Sequence, residues 1–441
     1  MDCRTWIVAL AALVASAVGT NIGWADCNCA PKKCQCCPCP PNPCQASPYY
    51  GAPSSPMSPS EQSPSDQNPM APIPMTDELP ALPELPSPAS TFAASTALAS
   101  SSEAIGFRDA TIGDFFGSTA LISGSSYNST NPADGFNVPI AGSDRRFKLT
   151  ENVSPIPVNR FFANYNHFSQ PVRNVTLSKQ DVDRFTLGLE KTFLNDSSSL
   201  EVRVPILSGL NATQDVTGSG SQTNGEFGNM TLTWKSLLWQ RGNQSAISAG
   251  LSVNLPTAQD ADVINGNTGR SILRIDNQSV HLLPFIAYYH QHSSRTWSIL
   301  AAQLDFDTNG NSFMVETSPF SGEFTTVSRF QEQNFLYLDY SAGHWFYDNT
   351  HGGGFIRRAA IIGELHYSTT LNDADFAQAG PDDGDIVTNP FNRIDVLNAT
   401  GGLRFQLGND YLLTAAVVTP LREGADRLFD SEFALLLTKR F

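Results

Sequence analysis

The sequence predicts an all-β chain: a transmembrane antiparallel up-and-down β-barrel of about twelve strands, preceded by a disordered arm rich in cysteine and proline. Three observations predict it. Apolar and polar residues alternate through most of the chain after about Arg145, which is the side-chain period of a β-strand. The connections between these stretches are short and long by turns. The sequence closes on "SEFALLLTKRF", where Phe433, Leu435, Leu437, Lys439 and Phe441 share one face of a strand that runs to the last residue.

Composition narrows the classes first. The 441 residues suffice for one large domain or two ordinary ones. Charged residues make up 16% and the formal charge is −15, which argues against nucleic acid or an anionic membrane surface as the main partner. The opening "MDCRTWIVALAALVASAVGTNIGWA" places Arg4 before an apolar run from Trp6 to Val18, then Gly23 and Ala25 in small–x–small spacing. This predicts a signal peptide over 1–25; a retained N-terminal anchor is the alternative, although the run is short for a membrane span. A lipoprotein reading fails because Asp26 stands before Cys27. No later stretch approaches the roughly eighteen apolar residues of a spanning helix. An exported chain of this kind is either soluble or a β-barrel.

The 26–44 segment carries Cys27, Cys29, Cys34, Cys36, Cys37, Cys39 and Cys44, and no cysteine follows. Cys34/Cys37 and Cys36/Cys39 have CxxC spacing, so a metal or redox site is one reading. Without a nearby histidine, and in an oxidising compartment, local disulfides or crosslinks to a partner are the other. Residues 45–103 are so dense in Pro and Ser that they cannot bury a core and read as an extended linker, reaching about 3 Å per residue. Residues 104–157, beginning near "GFRDATIGDFFG", lead into the barrel or plug it.

The barrel is assigned to 158–441, starting with "VNRFFANYNHF". In "RFTLGLEKTFL", Phe185, Leu187, Leu189 and Phe193 oppose Thr186, Gly188, Glu190 and Thr192. In "SLEVRVPI", Leu200, Val202, Val204 and Ile206 point out while Glu201 and Arg203 point in. "NMTLTWK" sets Met230, Leu232 and Trp234 against Thr231, Thr233 and Lys235. "ISAGLSVNL" and "LNATGGLRFQL" repeat the pattern, the latter with Arg404 inside; in "YLLTAAVVTP" both registers look alike. Short links fall at 195–198, 241–244, 291–295, 349–354 and 408–410. Long ones fall near 169–181, 208–224, 256–279, 307–331, 372–392 and 421–429. With both ends of the barrel on one side, every short turn lies on that side and every long loop opposite, as in outer-membrane barrels. A secreted β-sandwich would alternate residues too, but nothing would hold its loops to this parity.

The terminal strand resembles the C-terminal signature of bacterial outer-membrane proteins, which the barrel-assembly machinery reads. Phe433, Leu435, Leu437 and Phe441 match it; Lys439 departs from it, where an apolar or aromatic residue is usual. Through "IGDFFG", "SPIPVNRFFANYNHF" and "ISAGLSVNLPT", the C-terminal two-thirds is similar to planctomycete-type outer-membrane porin families and to barrels associated with phenol-degradation pathways. The resemblance implies an outer-membrane transport protein and transfers no catalytic residue.

Signatures of common enzymes (GxSxG, HExxH, a P-loop, GxGxxG) are absent from the sequence. His344 falls on an apolar face, and His366 falls on a polar face beside Glu364, a pore-lining pair before a catalytic one. "DFDTNGNSFMVE" fits a calcium-loop pattern through Asp305, Asp307, Asn309, Gly310, Asn311 and Glu316, against the plainer reading of a polar loop. The acidic stretch 372–385 reads as solvated charge.

The expected function is passive passage of small solutes through an outer-membrane channel, with the N-terminal arm in the periplasm and no enzymatic role. The expected lining comprises Glu190, Glu201, Arg203, Lys235, Asp339, Glu364, His366, Arg404 and Arg440, both signs mixed in a hydrated pore of weak ion preference. About twelve strands make a narrow lumen. The alternatives are an anchor crosslinked to periplasmic or wall components through its cysteines, and an outer-membrane hydrolase.

Overall fold

The computed structural model describes residues 110–114, 122–125, 135–139, 141–142, 146, 148–173, 179–210, 212–215, 226–318, 321–349, 354–379, 385–388 and 392–441. The signal peptide, cysteine segment and Pro/Ser linker assigned from sequence lie outside them. Twelve long strands follow one another: β1 Arg160–Arg173, β2 Lys179–Phe193, β3 Ser198–Ser208, β4 Met230–Arg241, β5 Ser245–Leu255 and β6 His281–Gln291. The second half is β7 Thr296–Asp307, β8 Phe335–Asp348, β9 Ile356–Thr370, β10 Asp395–Leu407, β11 Tyr411–Pro420 and β12 Ser431–Arg440. Each pairs antiparallel with its sequence neighbours, and β12 returns to β1 from Ser431↔Ser169 to Arg440↔Arg160, closing the barrel. Closure leaves no unpaired strand edge, the condition for crossing a bilayer with strands.

Alternation then separates two surfaces. Leu189, Trp234, Ile286, Leu300 and Leu365 are exposed on the outside. Outward aromatics gather at the short-turn end, among them Phe193, Trp239, Phe346, Phe355, Tyr411 and Phe441, as in the interfacial girdle of a membrane barrel. The last stretch is held from both sides: the Arg440 amide donates to Asp410 and the Phe441 amide to Asn159. Lys191 Nζ lies 5.4 Å from the Phe441 ring centre.

The loop parity predicted from sequence holds with one difference. The first long loop is not a loop, because β1 and β2 continue as a hairpin and leave only 174–178 between them. The other long connections carry structure of their own. Thr213–Asp215, Ala261–Asn265, Arg270–Ile275, Asn311–Glu316 and Phe324–Phe330 form a five-stranded sheet. Phe376–Ala379 and Asp385–Thr388 join Ile122–Ser125 and Gly135–Val138, from the segment before the barrel, in a four-stranded sheet. Val138 and Ala141 pack into the apolar core of the five-stranded sheet with Val263, Ile275, Phe313 and Phe330.

Candidate functional site: a lumen filled by an N-terminal hairpin

Glu190, Glu201, Arg203, Lys235, Asp339, Glu364, His366 and Arg404 are buried inside the barrel, where they meet protein. The segment before β1 passes through the lumen twice. Its outgoing leg, 110–114, lies beside the returning leg, 148–158, with the Thr111 amide donating to Val153 O at 3.0 Å. Between the legs the chain reaches the long-loop sheets through 122–125 and 135–138. Gly113 makes the close approach possible: it has φ +95°, and a Cβ there would lie 2.8 Å from Glu151 Cα.

The β8–β10 wall holds the outgoing leg. Glu364 on β9 accepts the Ile112 amide at 3.0 Å and the Gly113 amide at 3.1 Å. Ser341 Oγ donates to the same carboxylate at 2.7 Å. Lys148, fully buried, bridges Asp114 at 2.7 Å and Asp339 on β8 at 2.6 Å. The His366 ring lies between Asp339 (Nδ1, 2.8 Å) and Glu364 (Nε2, 3.1 Å), so both of its nitrogens are engaged by carboxylates. Arg404 on β10 donates to Ala110 O and to Thr414 Oγ1.

The β1–β4 wall holds the returning leg. Arg160 donates to Glu190 and Glu201, each at 2.7 Å, and to Asn152 O at 2.8 Å. Arg203 reaches Glu201 at 2.5 Å and Glu151 O at 2.8 Å. Lys235 pairs with Glu190 and donates to Ser154 O, both at 2.7 Å. Arg184, which sequence reasoning passed over, pairs with Glu151 at 2.9 Å. Across the lumen, Gln303 on β7 accepts the Leu149 amide at 2.7 Å. A buried charge is tolerated when paired and hydrogen-bonded, and here the wall and the hairpin satisfy one another.

Apolar layers seal the polar middle at both ends. Toward the short turns, Ile112 and Ile156 pack with Trp297, Trp345, Leu412 and Leu436. Toward the long loops, Phe168, Val182, Phe335, Val418, Leu428 and Phe429 form a second cluster. Of the predicted lining set, Arg440 stands apart, half-buried at the short-turn rim.

The calcium-pattern residues are not gathered around one point. Asp305 turns into the barrel to His281, 2.7 Å away. Asp307 and Asn311 accept backbone amides: Asp307 from Asn309, Gly310 and Glu332, Asn311 from Gln278 and Ser279. Asn309 Oδ1 takes the Val280 amide, and Glu316 pairs with Arg270 and the Gly322 amide. Strand alternation sends Asp305 inward, while Glu316 is carried off in the outer sheet.

No protein-family model matches this sequence, and no curated protein matches it. Among solved structures, an outer membrane channel from Pseudomonas putida F1 is similar at 12% identity and a TM-score of 0.42, covering 65% of this chain and 97% of that one. The NanC porin follows at 6% identity and a TM-score of 0.35, with 64% and 98% coverage. The Pseudomonas putida toluene transporter TodX stands at 11% identity and a TM-score of 0.36, with 75% and 100% coverage.

Proposed function

We propose that this chain is an outer-membrane channel for small solutes whose lumen is closed at rest by its own N-terminal hairpin. The observation that carries the reading is the hairpin itself: two legs bound to opposite walls through charged groups and backbone hydrogen bonds. Such contacts can be exchanged for water, because the walls behind them are polar. Ala110 lies near the short-turn end, close to Arg404, and a periplasmic N-terminal arm is part of this proposal. His366 has no ring nitrogen free to activate a hydroxyl, which speaks against a hydrolase built on it.

The filled lumen equally suits an anchor tethered through its cysteines, and one experiment separates the two. Full-length protein in a planar bilayer is expected to be silent. A Lys148→Met, Glu364→Gln double variant, shown to be a folded barrel by its heat-modifiable gel mobility, is expected to conduct in discrete steps. A folded, inserted double variant that stays silent would sink the channel reading and favour the anchor.

A further inference from the structure

At the long-loop mouth, His281 at the start of β6, Asp307 at the end of β7 and Glu332 just before β8 are all buried. Each offers one ligand atom, and the three atoms lie within 4.8 Å of one another. His281 Nδ1 lies 2.7 Å from Asp305 Oδ1. An ionised carboxylate can only accept, so Nδ1 carries a proton and Nε2 is the ring nitrogen turned toward the other two residues. His281 is 1% exposed, and among the described residues Nε2 has no hydrogen-bond partner; Glu332 Oε1, at 3.8 Å, is too far for one. That separation suits a shared ion, since two atoms each about 2.1 Å from one metal and set tetrahedrally lie about 3.4 Å apart.

The surroundings agree. Arg146 binds Glu332 through Oε2 at 2.7 Å, and Glu332 Oε1 is turned toward His281 Nε2, 3.8 Å away. Asp307 Oδ1 accepts from Ser279, Asn309 and Gly310, whereas among the described residues Oδ2 accepts only the Glu332 amide, at 2.7 Å. The Arg146 guanidinium and the His281 ring both lie against Asp305 and Glu332. The second buried cluster, Asp114, Asp339 and His366, already has its cation in Lys148.

We infer that His281 Nε2, Asp307 and Glu332 form a binding site for a first-row divalent transition metal such as zinc, with Asp305 as the residue that orients His281. One imidazole and two carboxylates suit such an ion, while calcium takes six to eight oxygens. Water would complete the coordination. The bound ion would tie β6, β7 and the segment entering β8 together beside Arg146 of the hairpin.

The test is a cobalt(II) titration of the folded full-length protein in detergent, after chelation and with the cysteines alkylated. Visible ligand-field bands saturating at one ion per chain, displaced by zinc and not by calcium, are expected. His281→Ala should lower the affinity at least ten-fold, and Asp305→Asn by about ten- to a hundred-fold, as for removal of an orienting carboxylate. If His281→Ala does not reach the folded barrel, Glu332→Gln serves instead. Absence of the bands, displacement by calcium, or unchanged affinity in the folded variants would overturn the assignment.

Discussion

The two walls of the lumen carry charge in different ways. On β1–β4, Arg160 lies between Glu190 and Glu201, Arg203 shares Glu201, and Lys235 shares Glu190. Every one of those charges has a partner on the wall itself. On β8–β10, Asp339 and Glu364 face His366, and their lysine comes from the hairpin. Were the hairpin to leave, Arg160, Arg203, Lys235, Glu190 and Glu201 would stay paired among themselves, while Arg184 would lose Glu151 and Asp339 would lose Lys148. Removing one partner of a buried pair is expensive, because it leaves the other charge uncompensated. Each wall therefore holds the hairpin through an ion pair of its own, and the carboxylates uncovered when the hairpin leaves lie on the β8–β10 side.

Lys148→Met tests this most severely. It is expected to cost about 3–5 kcal/mol, mostly in hairpin retention, and to give a cation-preferring conductance, read from the reversal potential across a salt gradient. An anion preference would mean that the β1–β4 cations dominate. Arg160→Met is the matching change on the other wall. Lys235 and Arg203 remain on the same carboxylates, so the expected loss is nearer the low end, roughly 3 kcal/mol. It should lower the temperature at which the barrel loses its compact gel mobility while the lumen stays closed. Conductance in this variant would erase the distinction between the walls.

Gly188→Ala probes the packing behind the same wall. A Cβ there would lie 2.0 Å from Phe162 Cζ, and that ring sits beneath Arg160 and Arg203 at 4.7 and 5.5 Å. Overpacking should cost about 1–3 kcal/mol, visible in the same thermal assay and without conductance. Arg393→Ala gives the baseline. Its pair with Asp373 is 60% and 64% exposed, so the barrel should change by less than about 1 kcal/mol, with the lumen closed as before.

The sequence by itself determined the strands, their faces and the side on which the turns lie. Two solvents write a period of two into each strand: Leu200, Val202 and Val204 could only be outside if Glu201 and Arg203 were inside. It failed where the inside is not polar. Leu412, Ala416 and Val418 on β11 face inward, against layers that include Ile112 or Phe429, so β11 lacks the contrast that alternation needs. Spacing also says little about placement: Asp305 and Glu316 keep the intervals of a calcium loop, but Asp305 lies on β7 and Glu316 ends a separate strand, paired with Arg270.

Only the tertiary structure decided what the inward charges touch. Lys148 meets Asp339 and Arg160 meets Asn152 O because a segment ahead of the barrel returns through it. His281 meets Asp307 and Glu332 because barrel closure and a long loop bring three distant stretches to one mouth. Local patterning reports which side of a strand a residue is on; the partner it finds there depends on contacts far apart in sequence, which no local period records.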